Sequence, residues 1–536
     1  MSFRNHVVVP VILAALATLA ACGGGGSPSP IIPPSGGFST SSLNGTYVFS
    51  TAGADVNGYY FAMAGTLTAD GSGNITSGTI DINDSDIQLS PFVQAFGQAI
   101  SSGSTYSVTA DGRGKITLVN TAIGTVGFDF VLTSSSGGMI TEFDGNGSGS
   151  GTFELQSSAV TQAQLAQGYA FSFSGFDSVP NTMSAAGAFT LGSDGTVVSG
   201  VHDFNDSQIV YANQALTGSV VLASSGTSGT AQFTTALGLL NFNFYVIDAT
   251  HLKFIETDAL PYVVLSGDVF QQASMPTGNL VFVMGGGSSS VGPLTFGGSM
   301  TASGAGQTGS GLEDANIGGT LSSAQVPFTL TYVAPVTGRS VMTLTGFSGG
   351  PTSLAVFPSS GGLLMLEIDS NAMSSGTAYV QSATSLATAP QGYGLSFSGV
   401  NSNGELDDIA QFVTASTGSM TGILDENDQG STISPQSITS TSAYVLDSPA
   451  TGRGEAQFNS SSSTTLFDIV FYTIDGSNSV FMETDSSQLA LGAFQQQTTP
   501  AARAAAAKTA GHPLTFRPLV MSRGALRHLK ATSVKK

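Results

Sequence analysis

The chain has 536 residues, 41% hydrophobic and only 9% charged, against about 25% charged in ordinary soluble proteins; it is too long for one core and long enough for several. All 34 acids lie in residues 23–499 beside five bases, Arg113, Lys115, Lys253, Arg339 and Arg453, whereas residues 500–536 hold eight bases and no acid. The acidic body disfavours nucleic-acid binding, and a single cysteine excludes an intrachain disulfide.

Residues 1–21 have the layout of an export signal. Arg4 opens it, Val7 to Ala17 form an apolar run interrupted only by Pro10, and Leu19-Ala20-Ala21-Cys22 closes it. This ending resembles the lipobox of bacterial lipoproteins. The resemblance implies that Cys22 carries diacylglycerol and becomes the first mature residue. It further implies anchoring in the cell envelope, at the outer membrane if there is one, because Gly23 rather than Asp follows the Cys. Acyl chains contribute roughly 0.8 kcal/mol per buried CH₂, enough for stable anchoring when two or more are present. Residues 22–42 then read as the lipidated Cys and a Gly/Ser/Pro tether.

Beyond the tether one unit recurs four times. Leu43, Leu165, Met275 and Ala389 open similar segments, among them Leu165-Ala-Gln-Gly-Tyr-Ala-Phe-Ser-Phe-Ser-Gly and Ala389-Pro-Gln-Gly-Tyr-Gly-Leu-Ser-Phe-Ser-Gly. Each copy later carries Glu-x-Asp, at Glu142, Glu256, Glu367 and Glu483, and each closes on an aromatic residue and glutamine. A spacing near 110 residues fits a domain rather than a solenoid unit. The expected modules are residues 43–157, 165–273, 275–382 and 389–497, followed by a basic Ala-rich tail, 498–536, expected to be disordered.

Within a copy, alternation such as Phe242-x-Phe244-x-Val246 marks half-buried strands, and Asp-Gly pairs mark tight hairpins. The expectation is all-β: four tandem modules of about eight antiparallel strands, with a barrel favoured over a sandwich. The opening Gly-Tyr strand and the meander order are similar to lipocalin and avidin barrels. The repeat as a whole resembles predicted lipoproteins of soil bacteria of unassigned role, which implies no activity.

Two polar constellations recur. On the Glu-x-Asp strand, Ile140, Phe254, Met365 and Phe481 share a face with Glu142, Glu256, Glu367 and Glu483. If that face is the core, each Glu needs a partner. Arg113, Arg339 and Arg453 are the candidates in three copies; copy two has none, since Lys253 points to the other face. The pairs would be structural, or the carboxylates would orient a ligand. The second constellation is Asp81, Asn83 and Asp84; Asp203, Asn205 and Asp206; Asp314 and Asn316; Asp425, Asn427 and Asp428. These are weak Ca²⁺ candidates without the EF-hand glycine and distal Glu, and turn chemistry explains them as well.

No catalytic set stands out. His202 and His251 both lie in copy two, no cysteine remains, and no Trp platform accompanies the carboxylates. No cofactor is expected. The reading is a lipid-anchored non-enzymatic protein for binding, adhesion or envelope organisation, with the membrane as partner through Cys22 and a glycan or envelope polymer as a further partner. The alternative is a carrier of small apolar ligands in lipocalin-like barrels; a hydrolase is the third reading.

Overall fold

The computed structural model describes residues 37–85, 91–92, 94–177, 181–258, 263–304, 307–348, 351–448, 450–486, 488–499 and 514. The expected export signal, Cys22, the tether as far as residue 36, and the basic tail from residue 500 apart from Leu514 lie outside the described residues.

Alternation builds the walls. In the opening strand Asn44–Asp55, Tyr47 and Phe49 point into an apolar interior while Val48 points out. Tyr169 with Phe171, Leu280 with Phe282, and Tyr393 with Leu395 take the same inward places. In copy three this place belongs to Leu280, one residue later than aligning the opening motifs implies. The pairing of first and last strands fixes the equivalence: Tyr47 faces Leu155, Tyr169 faces Gln271, Leu280 faces Val380, and Tyr393 faces Gln496.

Four antiparallel meanders result. Modules 3 and 4 are closed eight-stranded barrels, from Gly278–Ser288 to Met373–Val380 and from Gln391–Asn401 to Gln488–Gln496. Modules 1 and 2 are nine-stranded sheets curled the same way and left open, from Asn44–Asp55 to Gly147–Leu155 and from Gly168–Phe176 to Val264–Gln271. The extra strand has a local cause. The fourth stave is continuous in Leu321–Tyr332 and Ser431–Ser448, but breaks into Ala95–Ala99 and Thr105–Val108 in module 1, and into Ile209–Ala215 and Thr217–Leu222 in module 2. In module 1 the break contains Gly103 at φ +102°, a conformation that favours glycine. Backbone bonds from Ile100 N to Gly78 O (3.0 Å) and Tyr106 N to Gly73 O (2.9 Å) hold both pieces against the preceding hairpin.

Each interior is filled with side chains. Module 2 stacks Phe171, Phe173, Phe233, Phe242 and Phe254 in mutual ring contact. Each fully buried ring contributes roughly 1.5–3 kcal/mol.

The modules also pack on one another. Val48, Tyr60 and Ala62 of module 1 meet Phe176, Tyr245 and Ile255 of module 2. Ala186, Ala188 and Phe270 of module 2 meet Phe357, Leu364 and Leu366 of module 3. A third cluster joins Val281 and Val283 of module 3, and Val131 and Met139 of module 1, to Ile409, Val480 and Leu491 of module 4. Module 4 therefore closes on module 1, and the chain forms a ring. At each contact the leading strands of one module meet the trailing strands of the next. This is a head-to-tail interface whose rotation closes after four copies.

Candidate functional site: the junctions between modules

The two recurrent polar constellations are the two halves of one junction. The third strands are Ile75–Asp84, Val197–Asp206, Thr308–Ile317 and Ser419–Asp428. In the first of them Ile80 and Ile82 enter the core, so Asp81 and Asn83 point outward, at the neighbouring module.

The asparagines reach the ends of the Glu-bearing strands. Asn83 Nδ2 donates to Glu256 O at 2.8 Å and Glu256 Oε2 at 3.0 Å. Asn205 Nδ2 donates to Glu367 O at 3.0 Å and Ala372 O at 2.9 Å. Asn316 Nδ2 donates to Glu483 O at 3.2 Å. Asn427 Nδ2 donates to Glu142 O and Gly147 O, both at 2.8 Å. The last of these bonds module 4 to module 1.

Two residues earlier, the aspartates take the arginines. Arg339 grips Asp203 through two bonds of 2.7 Å. Arg453 binds Asp314 at 2.8 and 3.0 Å, with Tyr472 as a further donor. Arg113 Nη1 meets Asp425 at 2.8 Å. Module 2 has no such Arg, and there Tyr245 OH (2.7 Å) and Asn243 Nδ2 (2.9 Å) serve Asp81. Burial raises the Asp81 carboxyl above its ordinary range, against the donors that lower it.

The expected pairing of Glu142, Glu367 and Glu483 with Arg113, Arg339 and Arg453 is therefore replaced by Asp–Arg pairs between modules. The reason is parity. Ile116 and Leu118 face the interior, so Arg113 lies on the outside of the wall, whereas Glu142 shares the inward face of Ile140. Nor are Asp81, Asp203 and Asp425 free to hold Ca²⁺, since their oxygens already accept from neighbouring donors. Among the described residues no group of three or more His, Cys, Asp or Glu is placed to hold a metal ion.

A feature with no consistent sequence signal completes each Asp site. Opposite Asp81, Asp203, Asp314 and Asp425 the register slips, so that two residues of the fourth stave face one of the third. Such bulges re-aim backbone groups. Gly97, Asn213 and Gln325 adopt positive φ in these bulges. The Asn213 and Gln325 amides donate to their Asp at 2.8 and 3.2 Å, and the Gly97 amide does the same for Asp81. In module 4 Pro435 follows Ser434, and the Ser434 hydroxyl donates instead.

The four glutamates seal the module ends. Each is at most 1% exposed. Burial, with Asp144, Asp258, Asp369 or Asp485 adding to it, pushes Glu256 to about 10 and Glu367 to about 9, and holds Glu142 and Glu483 well above the usual carboxyl range. At those values Glu256 and Glu367 keep their protons at neutral pH. Ser374 Oγ and the Ala372 amide satisfy Glu367 at 2.6 and 2.9 Å.

At the opposite end of each module, the glutamines after the last strand clasp the next module. Gln156 Nε2 donates to Val246 O (2.8 Å), Gln381 Nε2 to Thr473 O (2.7 Å), and Gln497 Nε2 to Leu132 O (2.9 Å) and Asp111 O (2.8 Å). Gly112 and Gly452 line this clasp at positive φ. A Cβ there would stand 2.7 Å from Gln497 Nε2 or Gln381 Nε2. The sequence shows the recurring Gln but not what it reaches.

Module 2 adds a buried cluster of its own. Lys253 Nζ donates to Asp268 (3.0 Å) and to Thr152 of module 1 (2.9 Å), and His251 Nε2 lies 2.7 Å from Asp268. Burial opposes charge on both His251 and Asp268. Glu154 and Asp268 nevertheless hold His251 at about 9, and Lys253 and His251 hold Asp268 low. Beside this cluster lies a cavity of about 60 Å³ where modules 1, 2 and 3 meet, bounded by Thr51, Ser150, Ser172 and Thr377. His202 is pulled down to about 4 by burial and is neutral. A larger hollow of about 660 Å³ lies on the outer wall of module 3, lined by Ser299, Thr301, Ser310 and Thr329 and bordered by Thr451 of module 4.

No protein-family model matches the sequence, and no curated protein matches it. Among solved structures, isotype 1 transferrin-binding protein B from serogroup B Neisseria meningitidis aligns at a TM-score of 0.20 and 9% identity, over 75% of this chain and 85% of that one. The same protein from Haemophilus parasuis, as a double mutant, aligns at 0.18 and 8%, over 68% and 83%. Kievitone hydratase from Nectria haematococca aligns at 0.17 and 7%, over 64% and 94%. At such scores neither fold nor function transfers from those proteins to this chain.

Proposed function

We propose that the chain is a lipid-anchored, extracytoplasmic, non-enzymatic protein that binds or organises envelope components through a rigid four-module ring. The observation that carries this reading is the fate of the repeated polar residues. The Asp, Asn and Glu present in every copy are engaged where modules meet or where module ends are sealed. What recurs beyond the junctions is the module itself, presented four times around the ring. Fixed multiple presentation raises avidity for a repetitive partner such as a glycan without new contacts. Aromatic filling of the interiors opposes the carrier reading, and burial of the four glutamates away from solvent argues against a hydrolase's acid–base pair.

The test has two arms. Labelled palmitate is expected on the wild-type chain and absent from Cys22→Ser. The purified ring is expected to bind isolated envelope polysaccharide more tightly as polymer length grows, and to release no reducing ends. Label retained by Cys22→Ser overturns the anchoring, and release of reducing ends overturns the non-enzymatic reading.

A further inference from the structure

Strand alternation decides what faces the cavity where modules 1, 2 and 3 meet. Phe153, Phe171, Leu252, Val269 and Ala378 enter the module cores. Their neighbours Thr152, Ser172, Lys253, Asp268 and Thr377 therefore point outward into the seam, and all five border the cavity. Thr152 comes from module 1, Thr377 from module 3 and the other three from module 2.

The polar groups of this set do not satisfy one another. Ser172 is 6% exposed, and its Oγ has no hydrogen-bond partner in the protein. Lys253 is 1% exposed and donates to Thr152 Oγ1 at 2.9 Å and to Asp268 Oδ1 at 3.0 Å. An ammonium has three N–H groups, so one is left over. Thr152 Oγ1 accepts from Lys253 and keeps its own proton to donate. A buried hydroxyl left without a partner destabilises the fold.

The charges, by contrast, pair off. Lys253 and His251 stand against Asp268, 3.0 and 2.7 Å away, and Glu154, whose Oε1 lies 3.6 Å from His251 Nδ1. The cavity thus suits a neutral occupant that both donates and accepts hydrogen bonds. At about 60 Å³ it has room for about four waters, each of which needs about 10–15 Å³ and makes about three hydrogen bonds. A seam filled by side chains is available to this fold. The places of Ser172 and Lys253 are taken in module 3 by Val283 and Leu364, both in apolar clusters between modules. Module 2 departs from that pattern at both positions.

We propose that the seam is a binding site for a small cluster of ordered water molecules, held by the Ser172 hydroxyl, the third Lys253 N–H, Thr152 and Thr377. The Asn–Glu and Gln contacts each join two modules; the water cluster joins three. Bridging waters of this kind bond nearly as well as direct partners.

The experiment is a crystal structure of the purified chain grown in bromide, beside those of Ser172→Val and Thr377→Val. Both variants are expected to fold, since module 3 already carries Val283 at the first position and valine keeps the shape of threonine at the second. The wild type should show ordered water within hydrogen-bond reach of Ser172 Oγ and Lys253 Nζ, and each variant should lose at least one of these waters. Oxygen-17 relaxation dispersion should count fewer long-lived waters in Ser172→Val than in the wild type. Featureless density, a bromide anomalous peak in the cavity, or the same waters in the wild type and both variants overturns the proposal. None of these readings involves Cys22 or an envelope partner, so the function proposed above stands or falls separately.

Discussion

The junction between modules 1 and 2 and that between modules 3 and 4 solve the same problem with different chemistry. In the second, Asp314 and Arg453 are 1% and 4% exposed and joined by two hydrogen bonds. In the first, Asp81 is equally buried but is met by a phenol and an amide. The cation of that module stands elsewhere, at Lys253, where the equivalent positions hold Met139, Leu364 and Val480. The requirement at the junction is therefore a set of donors for a buried carboxyl, and charge is only one way to supply it.

The comparison can be broken most directly at Arg453. Arg453→Ala leaves the buried Asp314 carboxylate without its cation, with only Tyr472 and the Gln325 amide as donors, a loss of about 3–5 kcal/mol; a fall in urea midpoint matching only that of a surface mutant would refute the assignment. The protonated glutamates come next. A group whose folded pKa is raised stabilises fully below its unfolded value and loses that contribution as pH rises towards the folded one. Glu256 at about 10 and Glu367 at about 9 should make the ring less stable between pH 5 and 9. Each retained proton accounts for about 1.4 kcal/mol per pH unit at most. Glu256→Gln, which resembles the protonated acid, should flatten this dependence; a slope unchanged from wild type would mean that Glu256 is ionised.

Tyr245→Phe sharpens the contrast at the first junction. Asp81 keeps Asn243 and the Gly97 amide, so the loss should be about 1–2 kcal/mol, below that at Arg453 by thermal melt. The smallest effect is expected at Gly452→Ala, where positive φ and the Gln381 contact together cost about 1 kcal/mol. No change in melting temperature would show that the turn relaxes without loosening the clasp.

Much of the architecture was legible before the structure, because a fourfold period and strict alternation leave few options for strand-rich modules. The partners of the recurrent residues were not legible, for a physical reason. In a head-to-tail ring each copy carries both halves of the junction, so pairing within a copy and pairing with the next copy give the same spacing. Parity could have separated Arg113 from Glu142, since one follows the outward phase of Ile116 and Leu118 and the other the inward phase of Ile140. The bulges could not have been seen. Gly97, Asn213 and Gln325 share neither residue type nor neighbours, only a backbone amide to donate, and at the fourth bulge Pro435 has none and the Ser434 hydroxyl donates. The fourth-stave breaks in modules 1 and 2 are local accidents of turn composition at Gly103 and near Leu216.

Closure of module 4 on module 1 also orders events in time. Val131 and Met139 belong to the first module to be synthesised, yet their cover, Ile409 and Leu491, is made some 270 residues or more later. Until then the nascent protein is an open arc with one sticky end at its front and another still to come. Two such arcs that meet before closing can complete each other, so crowding during folding should yield eight-module dimers with every contact satisfied.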